Sequence, residues 1–215
     1  MFLIGRLLYR LAIEGEEHLP TSGPCIFACN HQSEVSDALV YLTIIRRRPD
    51  LHMFGWQNLR GQRPMFDFLT NYGEKNLEQR YLRAYWGRGL SAGELLRARA
   101  VLQQGGAIMI TVEAEWTWDG RLQYPLAPGA AWLALRTGAP VVPVVSVGGY
   151  DVQPRWDLDN LRPTGRITVR AGLPLQVGDA PIQRFHPEAL DAANERIWTA
   201  MAALLPPHLA ARARC

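Results

Sequence analysis

Three short apolar runs constrain the fold of this chain more than any other feature. Cys25–Cys29 reads CIFAC, Ala107–Val112 reads AIMITV and Pro140–Val147 reads PVVPVVSV. A strand with one wet face alternates polar and apolar residues. Continuous apolar runs of this length are instead strands covered on both faces, the habit of a parallel sheet held between helices. Helical segments lie between and after them. Ser91, with Glu94 three residues on, predicts a capped helix through Leu102 that Gly105-Gly106 stops. Pro128–Thr137 is an Ala-rich helix, and residues 187–205 carry Leu190, Ala193, Ile197, Met201 and Leu204 on one stripe. Weaker signals predict helices at Ala38–Ile45 and Pro64–Thr70, strands at His52–Gly55 and Tyr81–Trp86, and an edge strand at Arg166–Ala171. Strands alternating with helices give an α/β fold, a single domain with a mostly parallel sheet flanked by helices. At 215 residues, the chain is long enough to bury a sizeable core.

The amino-terminal stretch, residues 1–13, reads as an amphipathic helix ahead of a domain at 14–215. Ile4, Leu7, Leu8 and Leu11 share a stripe that excludes Arg6 and Arg10. Such a helix either packs on the domain or lies in a membrane interface with its arginines toward anionic headgroups. No run reaches the ~18 apolar residues of a membrane span. The expected setting is therefore cytoplasmic, peripheral on the inner face of the membrane. A net charge of +3 is too small to argue for nucleic acid, although all but one of the 23 basic residues are arginines, which suit phosphate. Cys25, Cys29 and Cys215 have no zinc-like spacing and read as thiols in a reducing compartment; no metal is expected.

Chemistry concentrates where the first run ends. Asn30-His31-Gln32-Ser33-Glu34-Val35-Ser36-Asp37 is a polar turn that opens a helix, with Ser33 or Ser36 as its cap. A histidine with a carboxylate partner is the simplest device for taking a proton from a hydroxyl at neutral pH, and the carboxyl end of a strand is where α/β folds place such groups. Two further strand ends converge on the same edge, at Gly87-Arg88-Gly89 and at Glu113. Trp116 and Trp118 follow Glu113 closely and either line a channel, anchor at an interface or are ordinary half-buried residues.

From about Glu14 to Gly149 the order of these segments resembles the 1-acylglycerol-phosphate (lysophospholipid or glycerolipid) acyltransferase family. Members typically read G…LP..GP.I...NH.S..D, and this chain has GEEHLPTSGPCIFACNHQSEVSD. Trp86-Gly87-Arg88-Gly89 is similar to the family's arginine among small residues. Val112-Glu113-Ala114-Glu115-Trp116-Thr117 stands where the family has Pro-Glu-Gly-Thr-Arg-Ser, and Pro128-Gly129-Ala130-Ala131 and Gly138–Val144 follow in step. The resemblance implies transfer of a fatty acyl group from an acyl thioester, acyl-CoA or acyl carrier protein (acyl-ACP), to a hydroxyl of a lipid acceptor such as a lysophospholipid. No cofactor beyond that co-substrate is expected. His31 would be the general base, Asp37 would hold its imidazole, and Arg88 would bind the acceptor's phosphate. Asn30, Ser33 and Glu113 are assigned with Arg88 to substrate binding.

Two departures stand out. The family places four residues between histidine and aspartate, and this chain has five. On a helix one extra residue turns Asp37 by about 100° and lifts it ~1.5 Å, so Ser36 or Glu34 is a possible stand-in. The third motif keeps its glutamate but has Trp116 in place of the arginine, beside Glu115, which points away from a phosphorylated acceptor unless Arg121 supplies the charge. Two other readings compete: a degenerate member that binds lipid or acyl carrier protein without turnover, and a hydrolase with Cys29 or Ser33 as nucleophile. The separation of the His31 ring from the carboxylates of Asp37, Glu34 and Glu113 discriminates. A carboxylate within about 3 Å of a ring nitrogen favours catalysis.

Overall fold

A computed structural model describes residues 2–56, 81–85, 89–157, 161–182, 184 and 186–210. Arg88, Cys215 and the helix expected at Pro64–Thr70 lie outside the described residues. The described strands are β1 (Ala12–Glu14), β2 (Cys25–Cys29), β3 (Leu51–Trp56), β4 (Tyr81–Tyr85), β5 (Gly89–Leu90), β6 (Ala107–Thr111), β7 (Val141–Val147) and β8 (Thr168–Ala171). The helices are α1 (Phe2–Leu8), α2 (Glu34–Ile45), α3 (Ala92–Gln103), α4 (Gly129–Thr137), α5 (Gly149–Val152) and α6 (Pro187–Ala202).

All eight strands join one sheet in the order β1-β8-β7-β2-β6-β3-β4-β5. The pairs β7–β8 and β4–β5 are antiparallel and the rest are parallel. The three apolar runs are its adjacent central strands: Phe27 of β2 stands level with Met109 of β6 and Val142 of β7. Alternation sends successive β2 side chains to opposite cores. Ile26 and Ala28 pack with α3, α4 and α6, whereas Cys25, Phe27 and Cys29 pack with α2. Both cysteines thus face one side, deeply buried, as a regular strand requires. The burial of both faces explains why the runs are apolar throughout.

Three expectations change. The amino-terminal helix ends at Leu8, because Arg10 adopts a left-handed backbone (φ 42°) and turns the chain into β1. β1 then pairs in parallel with β8. Thr168–Ala171 is therefore an inner strand rather than the edge that its alternating pattern suggests. The first helix after β2 also starts earlier than expected, at Glu34.

Candidate active site

The carboxyl ends of β2, β6 and β7 meet at the His31 turn. The turn is fixed by backbone clamps on each side. Asn30 is buried and its amide pairs with the main chain of Ser146 at the end of β7. It accepts from the Ser146 N–H at 2.8 Å and donates to the Ser146 carbonyl at 2.9 Å. Gln32 does the same between two loops, donating to the Gly120 carbonyl at 2.8 Å and accepting from the Gly149 N–H at 3.0 Å. His31 itself is held through its main chain. Its N–H donates to Glu113 Oε2, and its carbonyl accepts from the Thr117 N–H at 2.9 Å.

Ser33 caps α2 in a reciprocal box with Ser36. The Ser36 N–H donates to Ser33 Oγ at 3.2 Å, and the Ser33 N–H donates to Ser36 Oγ at 3.1 Å. A serine at the third helical position does here what glutamate or glutamine does in the common form of the box. Asp37 is the next residue, and its N–H makes the first i to i−4 bond, to the Ser33 carbonyl.

From that position Asp37 reaches the histidine. Its Oδ2 lies 2.7 Å from His31 Nδ1, with both side chains largely buried. The distance is that of an ion pair, although the ring N–H is not aimed along the line between the two atoms. The same Oδ2 accepts from the Trp116 indole N–H at 3.2 Å, and the Trp116 ring sits 5.6 Å from the imidazole, tilted by 58°. The extra residue between His31 and Asp37 therefore does not break the pair, and Ser36 serves the cap instead.

Glu113 is buried and accepts two main-chain N–H groups, from His31 and from Gln123. Burial pushes its carboxyl up to about 7, against the lowering effect of those donors. Asn30, Ser33 and Glu113 are the residues expected above to bind substrate, and in the structure they surround the His31 turn. Their polar atoms bond to the main chain around His31, because a polar turn buried at a sheet edge must satisfy its own N–H and C=O groups. They hold the histidine in place.

Beyond Glu113, Ala114 stands in a left-handed conformation (φ 62°) at the position of the family's glycine. Arg155 crosses to this loop. Its Nη2 meets Glu115 Oε2 at 2.6 Å, its Nη1 donates to the Trp116 carbonyl at 2.8 Å, and its guanidinium lies 3.9 Å from the Trp118 ring centroid. Arg121, the cation suggested by sequence, lies on the half-exposed rim with its Nε 3.5 Å from Asp119. Arg155 and Arg121 therefore both face carboxylates.

The hydrolase reading fails on geometry. Cys29 is fully buried under α2, and burial pushes its thiol well up. Ser33 Oγ is likewise buried in the helix cap.

The residues that sequence reasoning passes over are Gln32, Ser36, Ser146, Gly149 and Arg155. Ser36 enters it as an alternative cap and as a stand-in for the aspartate, not as the partner of Ser33 in one box. The remainder carry no signal of their own, and only the meeting of β2, β6 and β7 gives them a role.

A parallel sheet between helices, with a histidine–carboxylate pair at its carboxyl edge, defines the class: an α/β protein whose chemistry is placed at strand ends. The model of the Acyltransferase family matches residues 10–147, and the chain belongs to that family. It is similar to a chloroplastic 1-acyl-sn-glycerol-3-phosphate acyltransferase of Brassica napus, 26% identical over 156 residues. That similarity covers 68% of this chain and 40% of the relative, so the chain matches less than half the relative's length. The fold is similar to the crystal structure of the 1-acyl-sn-glycerophosphate (LPA) acyltransferase PlsC from Thermotoga maritima. The TM-score is 0.66 and the identity 20%, with all of this chain and 80% of that one covered.

Proposed function

We propose that this protein transfers a fatty acyl group from an acyl thioester, acyl-CoA or acyl-ACP, to a hydroxyl of a lipid acceptor such as a lysophospholipid, with His31 as general base. The observation that carries the reading is the 2.7 Å approach of Asp37 Oδ2 to His31 Nδ1 at the sheet's carboxyl edge. With Nδ1 against the carboxylate at 2.7 Å, Nε2 is the nitrogen left to work. An alcohol ionises far above neutral pH, so its attack on a thioester needs a base, whereas a thiolate leaves readily. Nε2 takes the hydroxyl proton as the oxygen bonds to the thioester carbon. The tetrahedral adduct then expels the thiolate by breaking its C–S bond, and the imidazolium returns the proton to sulfur. Asp37 stabilises the imidazolium in between.

Arg88 is the phosphate ligand that the family motif supplies when the acceptor is phosphorylated. Among the described residues, no helix is long and apolar enough to cross a membrane. Leu3 and Leu7 of α1 are 73% and 80% exposed beside Arg6, which supports seating this helix on the inner, anionic face of the cytoplasmic membrane.

The experiment is incubation of the purified chain with acyl-CoA and acyl-ACP and a panel of lysophosphatidate, other lysophospholipids and monoacylglycerol, with products read by mass spectrometry. An acylated acceptor that appears only with enzyme supports the reading. Tight binding of donor or lipid with no acylated product from any pairing supports the binding-only alternative and overturns it.

A further inference from the structure

The two departures from the family pattern meet at one atom. Asp37 arrives one residue late on α2, and Trp116 replaces the third-motif arginine. Their side chains touch at Asp37 Oδ2, which lies 3.2 Å from the indole nitrogen and 2.7 Å from His31 Nδ1.

The His–Asp contact alone does not fix this carboxylate. The imidazole N–H is not in line with Oδ2, and Oδ1 is buried with no hydrogen-bond partner among the described residues. Asp37 also sits beyond the N-cap box, which uses the N–H groups of Ser33 and Ser36. The directional bond that the Asp37 carboxylate makes is the one it accepts from Trp116.

Trp116 is well placed to give it. Its carbonyl is held by Arg155, which also pairs with the neighbouring Glu115. On the other side, the Thr117 N–H donates to the His31 carbonyl, so the loop is tied to the histidine's own backbone. The indole is thus referenced to both members of the pair. Its chemistry suits the place: indole is a neutral donor and holds the carboxylate without neutralising it. An arginine there would draw the carboxylate into its own bidentate pair and away from the imidazole.

We propose that Trp116 is a positioning residue: its indole N–H holds Asp37 Oδ2 against His31 Nδ1 and so makes the long His–Asp spacing workable. The proposal rests on the acyl-transfer reading for its kinetic consequence, not for the contact itself. The carboxylate keeps the proton on Nδ1 and leaves Nε2 basic, so loss of the indole donor leaves the imidazole free to sample the wrong tautomer.

Trp116→Phe removes the donor and keeps an aromatic ring. The expected result is a kcat lower by roughly ten- to hundred-fold, the factor for one hydrogen bond to a charged acceptor. KM for donor and acceptor stays within about two-fold of wild type. In an Asp37→Asn background the same substitution has no further effect, because the carboxylate it serves is gone. A merely structural tryptophan would cost as much in either background, and that result overturns the proposal. A second readout needs no turnover. The Trp116 indole N–H resonance, identified by its loss in Trp116→Phe, is expected to move upfield in Asp37→Asn. A resonance that stays in place shows that the indole does not serve Asp37. Should wild type acylate none of the acceptors, the functional reading falls, and the resonance still decides the contact.

Discussion

Glu113 offers the most quantitative handle on the site. Its carboxyl accepts the main-chain N–H groups of His31 and Gln123 in a buried setting. Glu113→Ala removes both acceptors and leaves the buried His31 N–H and the half-buried Gln123 N–H without partners, at up to ~1–3 kcal/mol each. The combined loss is a large part of the roughly 5–15 kcal/mol typical of a domain, so the alanine variant is expected to unfold at a markedly lower denaturant concentration than wild type. Glu113→Gln keeps one acceptor oxygen and points its amide at the other donor, so it should lose about half as much.

The pH dependence is the sharper test. Burial raises the Glu113 carboxyl from 4.5 to about 7. Between those two values the native state holds a proton that the unfolded chain has released. Stability therefore falls as pH rises through this window and is level above it, the reverse of a salt-bridged carboxylate. The full change is about 3 kcal/mol at ~1.36 kcal/mol per pKa unit. Guanidinium unfolding of wild type and Glu113→Gln at pH 5 and pH 8 reads it directly. Wild type should lose most of that amount between the two, and the glutamine variant should lose far less. Equal losses in both proteins would refute the argument, since Glu113 would then be ionised in the native state throughout.

Two further outcomes follow from close packing and from charge. A β-carbon on Gly149 would lie 2.5 Å from both Cβ and Oγ of Ser36 and 3.0 Å from Ser33 Oγ. Gly149→Ala should therefore cost ~1–3 kcal/mol by overpacking and lower kcat by shifting the first turn of α2, which denaturant midpoints and initial rates check. Arg88→Ala should raise KM at least ten-fold for a phosphorylated acceptor and leave an unphosphorylated one unchanged; an equal effect on both removes the phosphate assignment.

The scaffold is legible in the sequence because its signals are strong and local. CIFAC, AIMITV and PVVPVVSV are apolar throughout because helices cover both faces of the central strands, and the end of the first run by itself puts His31 at the carboxyl edge of the sheet. β1 is not legible in the same way. Leu11 continues the apolar stripe of α1, and only the parallel pairing of Ala12–Glu14 with β8 marks the residues after it as a strand. The same omission makes β8 look like an edge. At the site, residue type does not say what a polar side chain meets: Asn30, Ser33 and Glu113 stand in a motif, and in the structure each bonds to main-chain groups around the turn. They are polar because the buried turn has main-chain groups to satisfy. The fate of the late aspartate is beyond spacing arithmetic, since a side chain's reach and a donor 79 positions away on another loop decide where the carboxylate ends up.

The most direct test of the account is acceptor-dependent thiol release from acyl-CoA by His31→Ala, compared with wild type at matched folding by circular dichroism. A general base is worth ~10²–10⁴-fold, so the variant should lose at least a hundred-fold in kcat and still bind donor. Acyl transfer at a rate near that of wild type would contradict the account, because no arrangement built on the His31–Asp37 pair could then be the one that activates the hydroxyl.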